Sequence, residues 1–162
     1  MTLDLLIIIL SLVLSAFFSG MEIAYVSSNK IHIEIEKKQA GLLSKLLSRI
    51  TAKPSKFIAT MLIGNNIALV IYGFYMGDVL VEWFATHLSP SSILVNELSL
   101  LSQTVVSTLV ILVTAEFLPK VFFQIYANSL LKLFAVPAYI FYMLFSLISA
   151  FVIWITWSIF IL

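Results

Sequence analysis

Four apolar runs separated by polar stretches organise this chain. They extend from Leu3 to about Tyr25, from Phe57 to Gly77, from about Leu98 to Phe123, and from Leu133 to Leu162. Each is long enough to supply the ~20 apolar residues that carry a helix across a bilayer core. The second and fourth runs hold no charge, and the third holds only Glu116 and Lys120. No small-x-small site follows the first run before Lys30, so it reads as a span and not as a cleaved signal peptide. The fourth run carries Pro137 and is rich in Phe, Tyr and Trp, which reads as lipid-facing bulk.

Between the first two runs the pattern turns helical and amphipathic. Glu34 stands four residues before Lys38, a supporting pair on a helix, and Gly41 then breaks the pattern. Leu42, Leu43, Leu46 and Leu47 interleave with Lys45 and Arg49, which predicts a helix able to lie on the inner leaflet. Pro54 suits the first position of the next helix, where its missing N–H costs nothing.

Composition places all of this in a membrane, because 62% of the 162 residues are hydrophobic and only 10% are charged. A soluble domain is closer to half apolar and a quarter charged. The fold class is therefore an all-α membrane protein of one domain. A net charge of +1 gives no reason to expect nucleic acid, and the absence of cysteine rules out disulfides and thiolate metal sites. The stretch from Lys30 to Lys56 holds seven of the nine Lys and Arg residues, whereas Asp78 to Glu97 holds none. By the positive-inside rule, loop 30–56 is cytoplasmic and the N-terminus lies outside. The third run then returns inward towards Lys120 and Lys132.

Each of the first three runs carries polar groups where hydrocarbon is the rule. Ser15, Ser19 and Glu22 fall on one helical face of the first, beside Gly20, which admits another helix closely. The second contains Gly64, Asn65 and Asn66. The third contains Thr114 and Glu116, with Pro119 freeing a carbonyl one turn earlier. At about 1.5 Å per residue, Asn65, Glu116 and Ser19 lie roughly 12, 10 and 16 Å from the inner ends of their runs, a common depth. Hydroxyl, amide, carboxylate and carbonyl oxygens without sulfur or buried histidine suit a hard cation such as magnesium or calcium. An acid inside the membrane is a functional candidate by default.

Plainer readings stand beside these. Glu116 can pair with Lys120, four residues on, and Glu22 with basic loop residues. The serines can bond back to their own helix, and Asn65 or Asn66 can serve as packing glue. His32 and His87 are too far apart for a shared metal, and Asp78, Glu82 and Glu97 read as a solvated face. No nucleophile with its base, phosphate loop or metal-hydrolase spacing is present, so an enzyme is not expected.

Three segments in order resemble one family. "SAFFSGMEIAYVSSNKIHIEI" is similar to the opening of the membrane domain, also called DUF21, of the CorC and CNNM magnesium transporters. "KPSKFIATMLIGNN" resembles its second segment, and "TAEFLPK" its GE-x-x-PK element. The likeness implies spans over about 3–28, 57–77 and 98–123, with juxtamembrane and belt helices over about 126–162 on the cytoplasmic side. It implies magnesium export, often described as sodium-coupled, by a cell-membrane homodimer with one ion site per subunit. By position the family's ion-binding residues fall on Ser15, Ser19, Asn65 and Glu116, with backbone carbonyls at Ser15 and near Ala115. Glu22, Asn66 and Thr114 are accessory candidates. Two residues depart from the pattern: Ala115 replaces the motif glycine, and Leu69 stands where many relatives have asparagine. Family members continue into cytosolic CBS domains, so the chain reads as the membrane domain alone. Rival readings are a membrane-bound magnesium sensor that passes no ion, and a dimerising anchor. Candidate dimer faces are Gly20 and the stretch from Gly73 to Gly77.

Overall fold

The computed structural model describes residues 2–87 and 94–160. Among the described residues every regular element is a helix. Helix α1 (Thr2–Ser27) is followed by two short helices, α2 (Lys30–Lys37) and α3 (Leu42–Thr51), and by the long α4 (Pro54–His87). Next come α5 (Leu94–Val110), a π-helical stretch (Ile111–Phe117) and α6 (Leu118–Ile125). Helices α7 (Ala127–Leu133), α8 (Ala135–Leu144) and α9 (Ser146–Phe160) complete the fold. Among the described residues three stretches are long and apolar enough to cross a membrane, Thr2–Ser27, Pro54–Trp83 and Leu101–Ile125, and the bent pair Ala127–Leu133 and Ala135–Leu144 would make a fourth if it is one span.

The expectations are corrected at several boundaries. The second helix does not end at Gly77, because nothing from Asp78 to His87 breaks a helix, and α4 continues through Gly73 and Gly77. At about 1.5 Å per residue its 34 residues reach ~51 Å, well beyond a hydrocarbon core of about 30 Å. The expected outer loop shrinks accordingly. Residues 88–93 and the side chains of His87 and Glu97 lie outside the described residues. The fourth run is not one straight crossing: α7 and α8 meet at a 65° bend, and α9 is a separate helix. Ile161 and Leu162 also lie outside the described residues.

Helix α1 is the hub, packing most extensively on α4, then on α6 and the π-helical stretch. Its neighbours establish direction: Ser15 meets Asn65, Phe18 meets Gly64, and the Tyr25 and Phe57 rings stand 5.0 Å apart. Rising numbers on α1 therefore face falling numbers on α4, an antiparallel pair. Two notches bring these helices close. A Cβ on Gly64 would lie 2.6 Å from the Phe18 ring, and one on Gly20 would lie 2.5 Å from the Phe123 ring. Gly20 is thus filled from within the chain and is withdrawn as a dimer face, whereas a Cβ on Gly73 would meet nothing within 4 Å.

Aromatic side chains from the fourth run complete this core. Phe141 packs edge-on to Phe18 at 4.8 Å, and Phe134 stacks on Phe123 at 5.7 Å. The expectation of lipid-facing bulk holds for the exposed Phe151 and Trp154 but not for these rings. Ring-to-ring packing, worth about 0.5–1.5 kcal/mol per pair beyond area burial, favours these inward positions over contact with lipid.

The short helices are fastened to one end of the bundle by polar contacts. The Asn29 side chain caps α2 by accepting from Ile31 N at 2.9 Å, while Asn29 N donates to Asn128 Oδ1 at 2.9 Å. Lys132 Nζ lies 2.7 Å from Glu36 Oε2, tying α7 to α2. Glu34 pairs with Lys37 at 2.6 Å and not with Lys38, which lies past the last residue of α2 as its C-cap. Gly41 separates α2 from α3 at φ 149°, a conformation that favours glycine. Helix α3 turns Leu47 and Ile50 inward, with α8 its principal neighbour, and leaves Leu42 exposed.

The Gly20 notch gives a direct test of this packing. Gly20→Leu forces the Phe123 ring out of a filled site and should cost about 1–3 kcal/mol. Thermal unfolding in detergent should show that loss, and adding Phe123→Ala should recover part of it.

Candidate functional site

Ser15 and Ser19 are fully buried one turn apart on α1, facing the helices packed on it. The Ser15 hydroxyl donates to Asn65 Oδ1 at 2.6 Å, joining α1 to α4 directly behind the Gly64 notch. Ser19 differs, since its Oγ is buried and has no hydrogen-bond partner. Most serines inside a helix bond back to a carbonyl one turn earlier, as Thr60 does to Lys56. A buried hydroxyl without a partner costs about 1–3 kcal/mol, so such groups are rare and call for an explanation.

The third wall is the π-helical stretch. Leu118 N donates to the Val113 carbonyl, five residues back, immediately before Pro119. Proline cannot donate and crowds the carbonyl four residues earlier, that of Ala115, so the wider turn falls where proline disrupts the regular ladder. Ala115 is buried with no exposed surface, so its methyl is accommodated where the motif glycine was expected. Glu116 is half-buried and pairs with Lys120, Oε2 to Nζ 3.2 Å, as the plainer reading anticipated. Glu22 lies within electrostatic reach of both members of that pair.

Counted from the helix ends, the three residues stand at similar distances along their own helices. Ser19 lies eight residues from Ser27, Asn65 eleven from Pro54 and Glu116 nine from Ile125. At 1.5 Å per residue these are roughly 12, 16 and 13 Å. Two accessory candidates do not join the cluster. Asn66 is exposed, because the position after Asn65 turns about 100° around α4, away from α1. Thr114 is exposed too, and its hydroxyl donates to the Val110 carbonyl at 2.6 Å.

Two further polar contacts inside the bundle escaped the sequence reading. Tyr72 donates to the Ser107 carbonyl at 3.3 Å, linking α4 to α5. The buried Thr60 and Ser149 hydroxyls lie 3.2 Å apart, linking α4 to α9. Thr60, Gly64 and Ala68 recur every four residues, which marks a packed face of α4, but no spacing rule identifies the partners. Among the described residues no three His, Cys, Asp or Glu side chains come together. His32 stands apart, 3.8 Å from Glu36 on α2.

Residues 5–162 match the family model described as the cyclin M transmembrane N-terminal domain, CNNM. The chain belongs to that family. This CNNM domain is 32% identical over 151 residues to UPF0053 protein MG146 of Mycoplasma genitalium, covering 88% of this chain and 34% of that protein. It is 28% identical over 116 residues to UPF0053 inner membrane protein YfjD of Escherichia coli, covering 72% of this chain and 24% of that one. A third relative, UPF0053 protein sll0260 of Synechocystis, is 29% identical over 121 residues, covering 73% of this chain and 27% of that protein. The chain thus spans about a quarter to a third of the length of these relatives.

The two serines of the CNNM domain make opposite predictions. Ser15→Ala removes a made bond and leaves Asn65 Oδ1 unpaired, so it should destabilise the protein by ~1 kcal/mol. Ser19→Ala removes an unpaired hydroxyl and should leave stability unchanged or raised. Thermal unfolding of both variants in buffer containing a chelator checks the contrast.

Proposed function

We propose that this CNNM domain carries magnesium across the bilayer through a site formed by Ser15, Ser19, Asn65 and Glu116, with the backbone carbonyls of Ser15 and Ala115. The observation that carries the reading is the orphaned Ser19 Oγ, a buried oxygen one turn from the Ser15–Asn65 bond. An oxygen held without a partner is explained when a ligand supplies one. Neutral oxygens plus one carboxylate fit magnesium, which keeps several waters and takes one or two carboxylates. Glu116 supplies the charge. Glu22, on the Ser15 and Ser19 face, recruits the ion or holds a sodium ion coupled to its movement.

The proposed topology puts the N-terminus outside and residues 30–56 in the cytoplasm, following the excess of lysine and arginine there. Magnesium then enters from the cytoplasmic side and leaves outward after the helices rearrange. The proposed assembly is a homodimer, for which the open side of Gly73 and the little-covered span Leu101–Ile125 leave surface. Cytosolic CBS domains in the longer protein would regulate it.

The anchor reading has specific support, because it requires the buried polar groups to pair among themselves. Ser15 with Asn65, and Glu116 with Lys120, do so. Ser19 does not, and that favours the ion site.

The test is magnesium flux from proteoliposomes, with thermal stabilisation by magnesium measured on the same protein. Wild type should release magnesium and be stabilised by it, and Glu116→Gln should weaken the apparent affinity at least about tenfold, ~1.4 kcal/mol. Stabilisation without flux would identify a sensor, and absence of both would leave the anchor.

A further inference from the structure

The cavity between α2 and α3 belongs to neither the core nor the proposed ion path. It has a volume of about 570 Å³, within the roughly 300–1,000 Å³ range of small-molecule sites. Three cations line it: Lys37, Lys45 and Arg49. Lys37 is neutralised by Glu34 at 2.6 Å. Arg49 donates to the Tyr139 hydroxyl at 2.8 Å and lies over that ring, which holds the guanidinium in place but leaves its charge uncancelled. Among the described residues the Lys45 side chain has neither an ion-pair nor a hydrogen-bond partner. The cavity therefore presents two unneutralised cations beside the Ser48 side chain.

We propose that this cavity binds the phosphate of an anionic phospholipid. Phosphate is the anion whose charge and several acceptor oxygens match a fixed guanidinium, a free ammonium and a hydroxyl together. The lipid source follows from the surroundings. Ile31 and Leu42, on the two helices that frame the cavity, are 72% and 70% exposed, and Ile35 is exposed as well. Aliphatic side chains projecting beside cations suit the boundary between headgroups and acyl chains. A second cavity of about 360 Å³ follows the same scheme further along the chain, with Lys53 and Lys56 on one side and Ala150 and Ile153 on the other. Cation and hydrocarbon together are what a phospholipid meets and a free phosphate does not.

The bound lipid would hold α2 and α3 to the membrane surface independently of any ion in the bundle. The test uses the full chain in non-ionic detergent, with thermal unfolding followed during titration with dioctanoyl-phosphatidylglycerol, dioctanoyl-phosphatidylcholine or sodium phosphate. Phosphatidylglycerol should stabilise saturably, and the other two should not. Lys45→Gln should raise the half-saturating concentration about fivefold and Lys45→Gln with Arg49→Gln about 25-fold, taking the usual strength of one cation near an anionic surface. Lys45→Gln breaks no contact and keeps the test valid if the Arg49 substitution perturbs the fold. Lys38, exposed and outside the cavity, is the control, and Lys38→Gln should change little. An equal effect of Lys38→Gln would overturn the cavity in favour of diffuse surface charge. Saturable stabilisation by phosphate alone would overturn the lipid as its source, and no response to phosphatidylglycerol would overturn both.

Discussion

Two aromatic rings seated where glycine has no side chain set how closely the long helices stand. Phe18 of α1 fills the notch at Gly64 of α4, and Phe123 of α6 fills the notch at Gly20 of α1. Helices in lipid gain nothing from leaving water, so close packing and interhelical hydrogen bonds must hold them. Phe18 is locked in turn by Phe17, Phe141 and Phe145, and Phe123 by Phe134. The aromatic part of the fourth run is thus the backing that keeps both rings in their notches.

That interlock decides what the polar residues can do. Asn65 follows Gly64 in sequence and is therefore delivered to α1 at the point of closest approach, where it meets the Ser15 hydroxyl. Ser19 is delivered to the same face one turn on, beside Gly20, and finds no partner. A packing error of one residue on α1 would rotate both hydroxyls by about 100° and out of the interface. The glycines and the serines are accordingly parts of one device. The glycines permit the approach that places the serines.

Much of this was legible because membrane helices obey few rules. The three spans followed from uninterrupted apolar length, the break at Gly41 and the start at Pro54 from backbone chemistry, and the packing role of Gly20 from its size. The meeting of Ser15 with Asn65 was foreshadowed by helical periodicity and by their similar counts from the run ends. What remained illegible depends on partners. The extension of α4 past Gly77 is invisible to a hydropathy window, which senses the membrane boundary and not the helix end. Pro119 announced a disturbed ladder, but not the seven-residue π-helical form that the disturbance takes over Ile111–Phe117. The outward turn of Asn66 and Thr114 depends on which face of each helix α1 covers, and the inward turn of Phe134 and Phe141 on the bend between α7 and α8.

The Glu116–Lys120 pair is where the plain and functional readings of "TAEFLPK" meet, and its energetics let both stand. The two side chains are 31% and 39% exposed, so the pair is neither sealed in the core nor free of it. Lysine is a flexible point charge, and a pair of this kind four residues apart on a helix contributes only about 0.3–0.5 kcal/mol at an aqueous surface. Its greater service in a membrane is to neutralise an acid that would otherwise cost several kcal/mol. At equal distance and dielectric, a divalent cation attracts the same carboxylate twice as strongly as an ammonium does. On the proposed function, Lys120 is then the counter-ion of the unloaded state, 3.2 Å from Glu116 and weakly enough held to yield it.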